Sequence, residues 1–258
     1  MLLESIILGA IQGLTEFLPI SSSAHLVLVP YFFKFESTIL NSTMFDAILH
    51  GGSLIAIILF FWKDLIKLKE NKRLIYMIIL SSIPTFIIAF LIEPIKDRYL
   101  RDISIIGINM IIFSIYILIA EKKNQEIFFI NNLKPYHFIF LGIMQSLSLI
   151  PGTSRSGVTI ASAYLLNLKK EDSVSISFLI GIPVISAAFL YELKKAIFVN
   201  HIEVVPLSVI IGGILSSLIF GILALVILVK FIKKYKFAHF AYYRFFIAFL
   251  IFYEVWKN

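Results

Sequence analysis

The sequence predicts an all-α polytopic membrane protein, with six transmembrane helices and two re-entrant helical hairpins arranged as an inverted-topology repeat. Three observations predict it. The composition is too apolar for a water-soluble fold, six long apolar segments run uninterrupted, and one polar stretch occurs twice, each time breaking an apolar segment in the middle.

Of the 258 residues, 59% are hydrophobic and only 15% charged, and the mean hydropathy is +0.94. A soluble fold of this length cannot cover so much apolar surface. The N-terminal apolar segment lacks the basic flank of a signal peptide, so residue 1 reads as the start of the mature chain. Cysteine is absent, which excludes disulfides and thiolate chemistry and leaves phosphate, carboxylate and imidazole chemistry. The net charge of +7 comes from Lys and Arg in short loops, where they set orientation, so nucleic acid is not expected as a partner.

Crossing a hydrocarbon core of about 30 Å takes about 20 apolar residues. Residues 1–33 are long enough, but Pro19 and the hydroxyls of Ser21, Ser22 and Ser23 interrupt them. Backbone that leaves the helix at membrane depth must be buried in protein or line a wet cavity, so this segment reads as a re-entrant hairpin. Spans follow at 43–62, 74–92 and 103–120, and with the hairpin they form a first repeat, 1–120. Residues 137–166 are broken in the same way by Pro151 and a hydroxyl run. Spans at 173–192, 206–229 and 240–256 complete a second repeat, 137–258, and the whole chain reads as one membrane domain.

Loop charges support re-entry. If both hairpins return to the side they came from, the loops 63–73, 121–136, 167–172 and 230–239 share one side and carry 14 Lys and Arg residues. The opposite side, made of 34–42, 93–102, 193–205 and the C-terminus, carries seven. Cytoplasmic loops hold the excess, which places both termini outside. Three spans per repeat then invert the second copy, an arrangement found in many secondary transporters.

The repeated stretch reads GAIQGLTEFLPISSSAH over 9–25 and GIMQSLSLIPGTSRSG over 142–157. One deletion before the proline sets Gln12 against Gln145, Pro19 against Pro151 and Ser22 against Ser154. Each proline is followed by a helix start whose first N–H groups lack intrahelical partners. Ser21, Ser22 and Ser23 can cap one, and Thr153, Ser154 and Ser156 the other. Two such starts converging at one point make an anion site. Arg155 adds a guanidinium whose fork of donors suits phosphate, or else pairs with Glu16 to join the hairpins. Glu16 lies four residues after Gln12 on the same helical face and can act as a general base or hold a divalent cation together with phosphate oxygens. His25 follows Ser22 by three and Ser21 by four, so it can activate a serine or orient a water. Asp46 and His50, four apart in FDAILHGGS, line an entrance or sit at the interface. Gly51, Gly52, Gly212, Gly213 and Gly221 read as close helix packing, and Tyr242, Tyr243 and Trp256 as interfacial anchors.

QGLTEFLPISSSAH and PGTSRSGVT together resemble, in order and spacing, the two motifs of the undecaprenyl-diphosphate phosphatase family, the bacitracin-resistance membrane phosphatases of bacteria. The resemblance implies removal of the terminal phosphate from undecaprenyl diphosphate, which recycles the lipid carrier of cell-wall synthesis. It also implies a bacterial inner (cytoplasmic) membrane location with the site facing outward. By position, Glu16, Ser22, His25, Ser154, Arg155 and Ser156 fall on the family's functional residues, and Thr159 ends the second motif. With the helix-start reading, the expected catalytic residues are Glu16, Ser22, His25 and Arg155, and the expected substrate-binding residues are Gln12, Ser21, Ser23, Thr153, Ser154, Ser156 and Thr159. Glu16 is the candidate metal ligand, for a divalent cation such as Mg or Ca, and no organic cofactor is expected. The expected partners are a polyprenyl diphosphate lipid and the bilayer, and a homodimer is left open. Gln12 stands where many members have a glutamate, which weakens a metal mechanism resting on two carboxylates, and Ala24 replaces a glycine often found before the histidine. The inverted repeat keeps a second class open, a transporter or flippase for an anionic lipid.

Overall fold

Apolar runs bounded by polar caps set the helices, and the computed structural model describes them over residues 1–35, 37, 39–99, 102–198 and 205–257. Parts of the expected loops 34–42, 93–102 and 193–205, and residue 258 of the second repeat, lie outside the described residues. The described residues are mainly helical: α1 Leu2–Phe17, α2 Ser22–Phe33, α3 Thr43–Phe60, α4 Trp62–Leu68, α5 Lys72–Tyr99, α6 Ile103–Lys123, α7 Pro135–Ser146, α8 Arg155–Leu165, α9 Lys170–Phe198, α10 Leu207–Lys234 and α11 Ala238–Lys257. Asp102 starts α6 by accepting from the backbone N–H groups of Ser104 and Ile105 at 2.8 and 3.2 Å, and Lys122 and Lys123 close it at the negative end of its dipole.

Among the described residues, four helical stretches are long and apolar enough to cross a membrane: Lys72–Glu93, Ile103–Lys123, Lys170–Lys195 and Leu207–Lys234. A fifth candidate is the pair formed by α3 and α4, which bends by 70°. The short α4 lies in what the sequence reading treats as loop 63–73. Helix α11 occupies the expected span 240–256 but is not among these candidates, since Arg244 and Glu254 lower its hydropathy. The two interrupted segments are broken as expected, between Phe17 and Ser22 and between Ser146 and Arg155.

Helix α1 packs along α10 and α7 along α5, while α3 meets α9 and α6 meets α11. The α1–α10 approach is close because Gly9 and Gly13 have no side chain: a Cβ there would lie 2.3 and 2.4 Å from the carbonyl oxygens of Gly213 and Ser217. Serine hydroxyls fasten the same seam, with Ser5 donating to the Val209 carbonyl at 2.6 Å and Ser216 to that of Ile6 at 2.7 Å. The largest buried apolar cluster among the described residues, which includes Phe17, Phe61, Tyr164, Phe178 and Phe237, reaches the first helix break through Phe17 and Leu18. Large apolar side chains such as Phe90, Leu91, Leu207 and Phe249 cover the outside, as lipid contact requires.

Candidate phosphate site

Both breaks end in the same capped turn. Ser21 has φ 78°, ψ 96° and its hydroxyl accepts from the N–H of Ala24, while Ser154 has φ 71°, ψ 109° and accepts from Gly157. A side chain in this left-handed region is strained by about 1–3 kcal/mol, a cost met by the capping bonds. The caps correct the register read from sequence. Ser21 and Ser154 lie nine residues after Gln12 and Gln145 with no deletion, so Ser154 corresponds to Ser21 and not to Ser22. Aligning the prolines misled because the repeated feature is the capped turn, within which proline is free to move by one residue. In the corrected register Ser22 corresponds to Arg155, Ser23 to Ser156, and Glu16 to Leu149.

The hairpins are joined at these turns. The Gly152 N–H donates to Ser21 Oγ at 3.2 Å, and Ser156 Oγ donates to the Leu18 carbonyl at 3.2 Å. Ser21 and Ser23 hydroxyls lie 3.3 Å apart, and those of Ser154 and Ser156 3.4 Å. The first residue of each half-helix then reaches one carboxylate. Ser22 Oγ donates to Glu16 Oε2 at 2.7 Å, and Arg155 Nη2 donates to Glu16 Oε1 at 3.1 Å. Gln12 Nε2 adds a bond to Oε2 at 3.2 Å, and Gln12 also donates to Ser53. Glu16 is 7% exposed, at the floor of the cluster.

Arg155 is held from the far side by α9. Its Nη1 donates to the Ser177 carbonyl at 3.4 Å, its guanidinium lies 5.6 Å from the centre of the Phe178 ring, and Nε is buried without a partner among the described residues. Thr159 supports the same helix by donating to the Arg155 carbonyl at 2.7 Å and pairing with the Ser177 hydroxyl. Thr153 Oγ1 is buried with no partner among the described residues.

His25 is not brought to a serine hydroxyl. Its Nδ1 lies 2.7 Å from the Ser21 carbonyl oxygen and its Nε2 2.8 Å from the Tyr243 hydroxyl, with the two rings stacked. The nearest base to Ser22 is Glu16. His50 does reach the site: Nδ1 lies 2.7 Å from the Asp46 carbonyl oxygen and Nε2 3.5 Å from Glu16 Oε2.

Sequence reading missed Ser177, Tyr243 and Arg244. Nothing distinguishes Ser177 from other serines in spans, and Tyr243 passed for an interfacial anchor, whereas its hydroxyl holds His25. Arg244 had a signal, a cation inside the apolar segment 240–256; it is fully buried and donates to the Gly152 carbonyl at 2.7 Å.

The residues do not fit a cation held by protein groups alone. Among the described residues no group of three His, Asp or Glu could ligate a metal, and the Glu16 oxygens already serve Arg155, Ser22 and Gln12. Hard divalent cations take six or more oxygens, with carboxylates leading.

A family model described as bacitracin resistance protein BacA matches residues 5–250. An undecaprenyl-diphosphatase of Pelagibacter ubique is 40% identical over 198 residues, 76% of each chain. Undecaprenyl-diphosphatases of Geotalea daltonii and Thermodesulfovibrio yellowstonii are 35% and 38% identical, covering 89% of each chain for the first, and 87% of this chain and 86% of the other for the second. The chain belongs to the bacitracin resistance protein BacA family.

Proposed function

We propose that this chain is an integral membrane phosphatase that hydrolyses undecaprenyl diphosphate to undecaprenyl phosphate and phosphate, recycling the cell-wall lipid carrier and so conferring bacitracin resistance. The observation that carries the chemistry is the single carboxylate of Glu16, claimed on one oxygen by a hydroxyl and on the other by a guanidinium, where two half-helices start. The substrate follows from the family.

Ser22 attacks the terminal phosphorus. Its proton passes to Glu16 Oε2, already accepting from it at 2.7 Å. The bond from that phosphorus to the bridging oxygen breaks, undecaprenyl phosphate leaves, and a phosphoserine remains. Arg155 and the free N–H groups at the starts of α2 and α8 hold the equatorial oxygens as charge develops. Glu16 passes the Ser22 proton to the departing undecaprenyl phosphate. Water then attacks the phosphoserine, and Glu16 takes the water's proton and returns it to the Ser22 oxygen as the phosphorus–serine bond breaks, restoring the hydroxyl. No step is routed through a metal. His25 acts by holding the Ser21 carbonyl and thereby the strained cap.

The membrane arrangement belongs to the same proposal. Residues 1–33 and 137–166 re-enter, the six helical segments cross, and repeats 1–120 and 137–258 lie upside down to one another in the inner membrane, with the site outward. The exchange of partners, α1 on α10 and α7 on α5, supports the inverted repeat, and the loop charges support the orientation.

Arg155→Ala is expected to abolish phosphate release in detergent while the protein still inserts and folds; full turnover by that variant would sink the site. The nucleophile is tested by the stereochemical course at a terminal thiophosphoryl group made chiral with oxygen isotopes, which releases chiral thiophosphate. Retention is expected from two displacements, and inversion would replace Ser22 with a directly attacking water. A pure transporter, the reading favoured by the inverted repeat alone, releases no phosphate.

A further inference from the structure

Arg244 heads the fully buried side chains by size and shows no exposed surface. Its Nη2 donates to the Gly152 carbonyl at 2.7 Å and its Nε to Ser114 Oγ at 3.1 Å, while Nη1 is buried with no partner among the described residues. Among the described residues no carboxylate forms an ion pair with it. A buried cation without a counter-charge is strongly unfavourable, and inside a membrane protein such a group marks function.

Its position shows where a counter-charge would sit. Gly152, at φ 91°, is the turn residue two before the Ser154 cap, and its N–H is bonded to the Ser21 cap of the other hairpin. Thr153, next in the chain, carries another buried hydroxyl with no partner among the described residues. The neighbour of Arg244 on α11, Tyr243, holds His25 of the first hairpin. One helix thus grips both turns, through a hydroxyl on one side and a guanidinium on the other. The charge of Arg155 is already matched by Glu16, whereas a diphosphate brings more than one negative charge.

We infer that Arg244 is a positioning residue of the diphosphate site, which anchors the Pro151–Thr153 turn through the Gly152 carbonyl and supplies, from behind it, positive charge that the bound diphosphate balances. The inference rests on the phosphate-site reading and deepens it. Because Arg244 is sealed from the site, it acts through the turn and its field, and its charge matters more than its shape.

The test uses the full chain in detergent, with methylenediphosphonate as a non-hydrolysable probe read by thermal shift, alongside kcat and KM for a polyprenyl diphosphate. Arg244→Gln, which keeps a donor for Gly152 but no charge, is expected to lose about tenfold or more in probe affinity and to raise KM similarly, with its ligand-free Tm little changed. Arg244→Lys is expected to stay within about threefold of wild type in probe affinity. Wild-type probe affinity in a folded Arg244→Gln overturns the inference. If Arg244→Gln does not fold, Arg244→Lys decides, since a tenfold loss in that folded, charged variant overturns it equally. A wild type that the probe does not stabilise, together with an active Arg155→Ala, defeats the phosphate-site reading itself. A stabilised wild type with an inactive Arg155→Ala leaves that reading intact whatever Arg244 shows.

Discussion

Substituting Gly181 by alanine tests the position of Arg155 without removing any group from the site. Gly181 lies on α9 beside Ser177 and Phe178, and a Cβ there would stand 2.3 Å from Arg155 Nη1 and 2.9 Å from Cζ. Ordinary contact starts near 3.5 Å, so the guanidinium must retreat by about 1 Å. Retreat on that scale breaks the 3.4 Å bond to the Ser177 carbonyl and re-aims the 3.1 Å contact with Glu16. The fold loses little, because the obstructed atoms end a flexible side chain; overpacking of this kind costs about 1–3 kcal/mol. Catalysis loses more, since a misplacement of about 1 Å in a charge-stabilising group costs about a hundredfold, or about 2.7 kcal/mol in the barrier. The assay is phosphate release in detergent beside a thermal melt. The expected result is a fall of about a hundredfold in kcat/KM with Tm lowered by only a few degrees. Gly142→Ala is the contrast: its Cβ would lie 2.0 Å from the Ser81 carbonyl oxygen, a backbone atom that cannot swing away, so stability falls first. Turnover within twofold of wild type in a folded Gly181→Ala would refute the claim that guanidinium placement controls the reaction.

Ser22→Ala and Ser21→Ala separate chemistry from architecture at neighbouring positions. Ser22→Ala is expected to remove turnover with little change in Tm, whereas Ser21→Ala, which loses the bonds from Ala24 and Gly152, is expected to cost about 1–2 kcal/mol, seen as a lowered Tm, with activity falling only as the turn loosens. Tyr243→Phe removes the hydroxyl on His25 Nε2 but keeps the stacked ring, so a loss of about 1 kcal/mol in stability and a partial loss of turnover are expected. Complete inactivation of a folded Tyr243→Phe would show that His25 does more than hold its turn.

Much of this was legible because membrane insertion imposes strong rules on sequence. An apolar segment split by a proline and serines has few structures open to it, and a Glu and an Arg inside greasy segments must find each other. Glu16, Ser22 and Arg155 were therefore identifiable as candidates, and the structure brings them together. His25 was placed correctly on its helical turn and wrongly beside the serine hydroxyls, because sequence spacing gives the face of a helix but not the partner that an adjacent helix brings to it. Tyr243 is that partner, and it lies more than two hundred residues away. Ser177 was illegible for the same reason, since its use depends on α9 crossing behind α8. The register of the repeat failed differently: two matching prolines are conspicuous in a string of letters, whereas a positive φ at a serine leaves no trace there.

The corrected register explains how two similar turns make one site with a direction. Ser22 and Arg155 are the same position of the repeat, the first residue of each half-helix, and each meets an oxygen of the same carboxylate. Glu16 has no counterpart in the second copy, where Leu149 stands. A hydroxyl at one first position gives an attacking atom, a guanidinium at the other gives a charge clamp, and the lone carboxylate makes the pair unequal by accepting a proton from one and a charge-assisted bond from the other. Exchanging the two side chains would keep the composition of the site but bring the cation from the hairpin that carries the carboxylate and the hydroxyl from the one that lacks it. If the reaction needs only these groups in proximity, a Ser22→Arg, Arg155→Ser double variant retains measurable phosphate release. The structure leads us to expect none, because Gly181 makes room for the guanidinium at position 155, and Glu16 stands beside the hydroxyl in the first hairpin.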